Sequence, residues 1–356
     1  MTNSANELTP EQLAMGDFDR IFSQFPITEL NDKRLFMTGC TGFFGFWLLM
    51  AIHYLNESGA NIKVVALSRN PQRFLTRHPF FRQCQWLSFC QGEVSDYLPP
   101  EGDFDLFIHG ATDTSPDAIA LPLLLFQSML NGTKHVLEHA LSAKAQRVLI
   151  VSSGAVYGEQ PWDIDKISED QCFVGSSLDV KNLYCEGKRA MEMLSACYAD
   201  AHDIEIITAR CFAFIGYGLP KHLAIAQLIN DALYADEITV KGDGMPVRSY
   251  LYAADLAVWL LTILARGQKA SAYNVGSDVG MTIAEHAQLV KAVLAPDKEI
   301  KIEANLQKKK QARTVYVPDI NKAINELDLK IWSSLNESIE TYKSLSRNIS
   351  SIVRKR

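Results

Sequence analysis

A phenol and an amine four residues apart, Tyr184 and Lys188, share one face of a helix. An ammonium at that distance lowers the phenol's pKa. A phenol that ionises near neutral pH is a base for removing the proton of a sugar or alcohol hydroxyl. Upstream, Ser153 follows an apolar run, Val148 to Val151, that reads as a strand. Its hydroxyl is suited to hydrogen-bonding a reacting oxygen. Near the start of the chain, Thr38-Gly39-Cys40-Thr41-Gly42-Phe43-Phe44-Gly45 connects a short apolar strand to an apolar helix. Gly39 permits a tight turn, Gly42 lets backbone N–H groups approach a pyrophosphate, and Gly45 lets the helix pack on the sheet. The helix N-terminus favours phosphate. A bound dinucleotide would supply the hydride partner of the phenol's proton.

These groups need a frame. The chain has 356 residues, of which 47% are hydrophobic and 21% charged, enough for a large core. Net charge is −6 and no long basic run occurs, which argues against nucleic acid as the partner. Seven cysteines without CxxC spacing read as reduced thiols, with no metal site. The N-terminus lacks a basic-then-apolar export pattern, and the longest apolar run, 43–55, is too short to cross a bilayer. A cytoplasmic enzyme with no membrane partner is expected.

Strand and helix patterns alternate through residue 210, the mark of an α/β doubly wound parallel sheet. Strands are expected at 34–37, 61–67, 106–109, 147–151 and 204–209, and helices at 123–141 and 182–199. Residues 1–30 read as an appended helical segment with a capped start at Thr9-Pro10-Glu11. Residues 31–210 would bind the dinucleotide and carry the catalytic set, 211–345 would form mainly a smaller C-terminal α/β substrate lobe, and 346–356 a frayed tail.

The second strand ends in Leu67-Ser68-Arg69-Asn70, where an NAD site would place an acid on the ribose. Arg69, aided by Arg73, suits a 2′-phosphate, so NADP is favoured over NAD. The alternative is a solvated surface arginine. Glu93 and Val94 end the next strand and would flank the adenine. Asn131, mid-helix, would order a water beside Lys188.

Taken together, these motifs resemble those of the extended short-chain dehydrogenase/reductases, in the NAD(P)-dependent sugar-nucleotide epimerase/dehydratase family. Thr38–Gly45 matches TGxxGFxG, Tyr184–Lys188 matches YxxxK, and Ser152–Gly158 matches SSxxVYG. Gly242-Asp243-Gly244, Arg248–Tyr252, Asp255-Leu256-Ala257 and Tyr273–Gly276 continue the pattern. The resemblance implies a Rossmann sheet, a nucleotide-linked sugar as substrate and a homodimer through the helices at 123–141 and 182–199. It makes Ser152, Ala111 and Thr112 cofactor neighbours and sets Phe212 against the nicotinamide. Arg248 would bind the sugar nucleotide's diphosphate, with an interlobe salt bridge as the alternative role. Arg313 and Tyr316 would line the nucleotide end. Two departures bear on chemistry. Ala213 replaces an amide that helps hold substrate. Gly154-Ala155 stands where dehydratases and decarboxylases carry an acid after the catalytic hydroxyl, and elimination needs such a second group. An epimerase or 4-ketoreductase is therefore expected. A 4,6-dehydratase or decarboxylase is the alternative, and a non-catalytic NADP sensor is the alternative of another class.

Overall fold

The computed structural model describes residues 8–303 and 314–353, with side chains to residue 345. Along the first half run α1 (Pro10–Phe22), β1 (Arg34–Thr38), α2 (Phe43–Glu57), β2 (Lys63–Ser68), α3 (Pro71–Arg77), β3 (Leu87–Gln91) and β4 (Leu106–His109). Then come α4 (Pro116–Ile119), α5 (Pro122–Ser142), β5 (Arg147–Ser153), α6 (Leu183–Ala201) and β6 (Glu205–Cys211). The expected elements are present. β5 runs two residues further than its apolar core, so Ser153 is its last residue and not the first of a loop.

Seven strands form one parallel sheet in the order β3-β2-β1-β4-β5-β6 and then Ala272–Val275, numbered β11 below. The strand order reverses between β1 and β4, where such a sheet opens a crevice for ligands at its carboxyl edge. Val148, Leu149 and Ile150 are fully buried, as befits a strand covered on both faces.

The second half contributes β7 (Phe214–Ile215), α7 (Ala224–Tyr234), β8 (Ile238–Lys241), β9 (Val247–Arg248), β10 (Leu251–Tyr252), α8 (Ala253–Arg266) and β11. It continues with β12 (Met281–Thr282), α9 (Ile283–Leu294), β13 (Ile300–Glu303), β14 (Val315–Tyr316), α10 (Asn321–Leu327) and α11 (Leu335–Val353). Short sheets β12-β9-β14 and β13-β8 make up the lobe. The lobe does not have the whole of this half. β11 extends the main sheet, and α8, apolar along most of its length, packs on that sheet and on α2. α11 continues into the stretch read as a tail.

The N-terminal segment is part of the core and not an appendage. Ala14, Phe18, Ile21 and Phe22 recur at helical spacing and are buried against α2 and α8. Tyr252 donates to Asp17 at 2.7 Å, and Phe18 meets Trp47 edge-on. Among the described residues, no helix is long and apolar enough to cross a membrane.

Asp255, at the start of α8, is fully buried and accepts from the backbone N–H groups of Trp332 and Ser333. It thereby ties the approach to α11 onto the main sheet layer. Removing it orphans two buried donors. We expect Asp255→Ala to cost about 2–4 kcal/mol of unfolding free energy, read as a lowered midpoint in urea denaturation.

Candidate active site

The site begins in the turn after β1. Gly39 adopts φ +76, and a Cβ there would lie 2.5 Å from the Gly110 carbonyl carbon, so the turn needs glycine. A side chain at Gly45 would collide with the Cys40 backbone. Gly42 is different. Its nearest non-neighbour atom to an added Cβ is 3.6 Å away, so packing within the chain does not demand glycine there. It is the N-cap of α2 and provides no side-chain cap for the helix's first N–H groups. An open glycine before uncapped donors fits a phosphate, so the residues present suit a dinucleotide. Thr41, Phe43 and Phe44 complete this turn, and Phe44 meets Phe214 edge-on at 5.1 Å.

Beneath the turn lies a buried polar chain that the sequence reading did not include. Thr133 donates to the Met129 carbonyl, so its oxygen accepts from His109 Nε2 at 3.1 Å. His109 Nδ1 then accepts from Thr38 Oγ1 at 2.9 Å. Thr38 Oγ1 in turn accepts from the amides of Gly110 and Ala111. Burial pushes His109 down to about 3, so the ring is neutral and pins the ends of β1 and β4 to α5.

Ser68 is buried at the end of β2 and accepts from the Asn70 amide. Arg69 is exposed and pairs with Asp113 at 3.2 Å, a partner separated from it in the chain and found only in the fold. Glu93 is exposed beyond β3, and Val94 packs against Gly132 of α5. Asn131 does not face Lys188. It is exposed, because the helical phase of α5 turns Met129, Gly132 and Thr133 inward instead.

Lys188 is buried, and its amine donates to the Val151 carbonyl at 2.8 Å and to Thr112 Oγ1 at 3.0 Å. Burial lowers it to about 8. Thr112 is therefore a ligand of the lysine in this structure, beside Ala111. The Lys188 amine lies 6.0 Å from the centre of the Tyr184 ring. Burial raises the Tyr184 phenol, a hydrogen bond with Ser153 opposes that, and the ammonium is not among the groups that lower it. The expected lowering by Lys188 is not seen, since the amine is aimed at Val151 and Thr112.

Ser153 is thus the meeting point. Its oxygen accepts from the Ala155 amide at 3.2 Å, the Tyr184 phenol lies near it, and the Tyr316 hydroxyl fills the space beside Gly154, the next residue. Tyr316 was expected at the nucleotide end, but the structure brings its hydroxyl to Gly154, next to Ser153. Its ring packs on Phe212 at 4.6 Å, and Phe212 packs on Tyr157. Arg248 sits across from Tyr316 in the β9–β14 pairing, its guanidinium 5.9 Å over the Tyr316 ring. The guanidinium donates to the carbonyls of Val247 and Thr314, and no ion pair is formed with a carboxylate among the described residues. That leaves the interlobe salt-bridge alternative without support. Arg313 lies outside the described residues.

Ser152 points the other way. It donates to Glu192 at 2.5 Å, and Glu192 holds Arg210 at 2.8 Å. Arg210 donates to Tyr157, and Tyr157 donates to Asn274. This partly buried network braces the end of β5, on the side of the strand away from Ser153.

The arrangement can move a proton to or from a hydroxyl at Ser153 and Tyr184, next to a turn suited to a dinucleotide. The chain is 28% identical to UDP-glucuronic acid decarboxylase 6 of Arabidopsis thaliana over 317 residues, 87% of each chain. Its fold resembles that of the dTDP-glucose 4,6-dehydratase of Streptomyces venezuelae, solved with NAD bound (TM-score 0.75, 20% identity, 90% of this chain and 98% of that one). It also resembles the UDP-N-acetylglucosamine 4-epimerase of Methanobrevibacter ruminantium (TM-score 0.75, 20% identity, 90% and 99%). With a family model matched from residue 35 to 276, inside which Gly39, Ser153, Tyr184 and Lys188 all fall, the chain belongs to the NAD dependent epimerase/dehydratase family.

Proposed function

We propose that the chain is a nucleotide-sugar epimerase or 4-ketoreductase that works with NADP or NAD. The observation carrying this reading is the placement of Tyr184 near Ser153 at the carboxyl end of β5, where Gly154-Ala155 and not an acid follow the serine. Oxidation of a carbinol needs one acid/base and a donor to the oxygen. Elimination needs a further group.

In the oxidative direction Tyr184 takes the hydroxyl proton while Ser153 hydrogen-bonds the same oxygen. The dinucleotide, when bound, exchanges a hydride with the carbinol carbon. Lys188, fixed by Val151 and Thr112, holds its amine 6.0 Å from the centre of the Tyr184 ring and anchors the helix that presents the phenol. Arg248, with both anchoring bonds going to neutral carbonyls, keeps its charge for a diphosphate. A keto sugar that turns over in place gives the epimer, and one that arrives from solution is reduced.

A second reading has one observation in its favour, the relatives named UDP-glucuronic acid decarboxylases. A panel of UDP- and dTDP-linked sugars and their 4-keto forms, followed by mass spectrometry, separates the two. Epimerisation leaves the mass unchanged and reduction adds two hydrogens. Loss of carbon dioxide from UDP-glucuronic acid, or of water from a dTDP-hexose, would replace our reading with decarboxylation or dehydration.

The α5–α6 pair leaves Leu123, Leu124 and Met193 exposed, which supports a homodimer through these helices. Tyr184→Phe should bind dinucleotide as well as the parent does and lose turnover about a thousandfold, measured by titration calorimetry and by the same mass assay. Arg69→Ala should weaken NADP about tenfold or more, the loss of a charge-assisted contact, and leave NAD little changed. Asp113→Asn, which frees the guanidinium, should shift preference toward NADP. Equal changes for both dinucleotides would remove Arg69 from the 2′-phosphate.

A further inference from the structure

We propose that the Tyr316 phenol is a catalytic hydrogen-bond donor of this centre, which with Ser153 holds the sugar oxygen that is oxidised or reduced. This rests on the function proposed above.

Three placements carry it. First, an added Cβ at Gly154 would lie 2.7 Å from the Tyr316 hydroxyl and 2.8 Å from the Phe212 ring. The phenol thus fills the space into which a side chain after the catalytic serine would project, and glycine at 154 is what admits it. Second, Tyr316 lies between Ser153 and Arg248, its hydroxyl beside Gly154 and its ring 5.9 Å under the guanidinium. It spans from the group proposed for the reacting oxygen to the group proposed for the diphosphate, which is where a sugar between the two must pass. Third, β14 is anchored against displacement. The Val317 amide donates to Gln160 at 3.1 Å, its carbonyl accepts from Ile167 at 2.9 Å, and the Asn274 amide group donates to the Asp319 carbonyl at 2.9 Å.

The hydroxyl count at Ser153 then divides the labour. Its oxygen accepts the Ala155 N–H, leaving one lone pair and one proton for a sugar oxygen and the phenols beside it. Burial raises both phenols, and Tyr184 as a neighbour raises Tyr316 further, so Tyr316 keeps its proton when Tyr184 ionises. Tyr184 is the acid/base. Tyr316 is a standing donor toward negative charge that develops on the oxygen.

Tyr316→Phe keeps the ring and its packing on Phe212. With a sugar from the panel that the parent protein turns over, kcat should fall about a hundredfold, the loss of one donor to a developing oxyanion, with KM little changed. The spectroscopic test uses dTDP-4-keto-6-deoxyglucose labelled with carbon-13 at the keto carbon. Its carbonyl stretch should be lower in frequency on the parent protein than on Tyr316→Phe. Gly154→Ala, whose methyl displaces the phenol, should reproduce the shift even if Tyr316→Phe fails to fold. Bound ketone with the same frequency in the parent and the variant overturns the role of Tyr316 and leaves the proposed function standing. Absence of both turnover and ketone binding overturns the proposed function, and this inference with it.

Discussion

The hydroxyl of Ser153 is the constraint on which the centre depends. It ends a fully buried parallel strand, so its position is fixed by the ladders of β5 with β4 and β6. One oxygen accepts from the Ala155 amide, with two phenols placed near it. Tyr184 comes from α6, which follows β5, and Tyr316 from β14, far along the chain. Each is useful only if the strand end stays where it is. The Ser152–Glu192–Arg210 network, directly behind, does that holding. Glu192 and Arg210 are both largely buried and satisfy each other, as buried charges must.

The second constraint is the burial of Lys188. An amine removed from water loses several kcal/mol of hydration unless it finds partners, and here these are the Val151 carbonyl and Thr112. Those bonds draw α6 against β5 and fix the start of the helix face that presents Tyr184. They also bring the segment after β4, which carries Asp113, near the end of β2. The Arg69–Asp113 pair then joins that segment to the end of β2. Burial of one cation thus helps organise three loops.

Much of this was legible in the sequence because it is local. The glycine turn, the spacing of Tyr184 and Lys188, and the alternating strands and helices are set within short windows where steric rules apply directly. What failed was phase and long-range pairing. Asn131 falls on the outer face of α5, and only packing reveals that Met129 and Thr133 take the inner one. Tyr316 sits in a two-residue strand with no periodicity, and its register opposite Arg248 is a tertiary fact. Asp113 and His109 were missed for the same reason, since their partners are distant in the chain. The N-terminal helix showed its apolar stripe, but nothing local said that Trp47 and Tyr252 would receive it.

The account comes down to one placement, a buried phenol against the sugar hydroxyl that changes oxidation state. The most direct measurement is a crystal structure of the protein with NAD(P) and a nucleotide sugar that it turns over. The account predicts the Tyr184 oxygen and the Ser153 oxygen both within about 2.6–3.2 Å of one carbinol oxygen. A sugar seated with that hydroxyl away from both groups, or a Tyr184 ring turned out of the crevice, would contradict it.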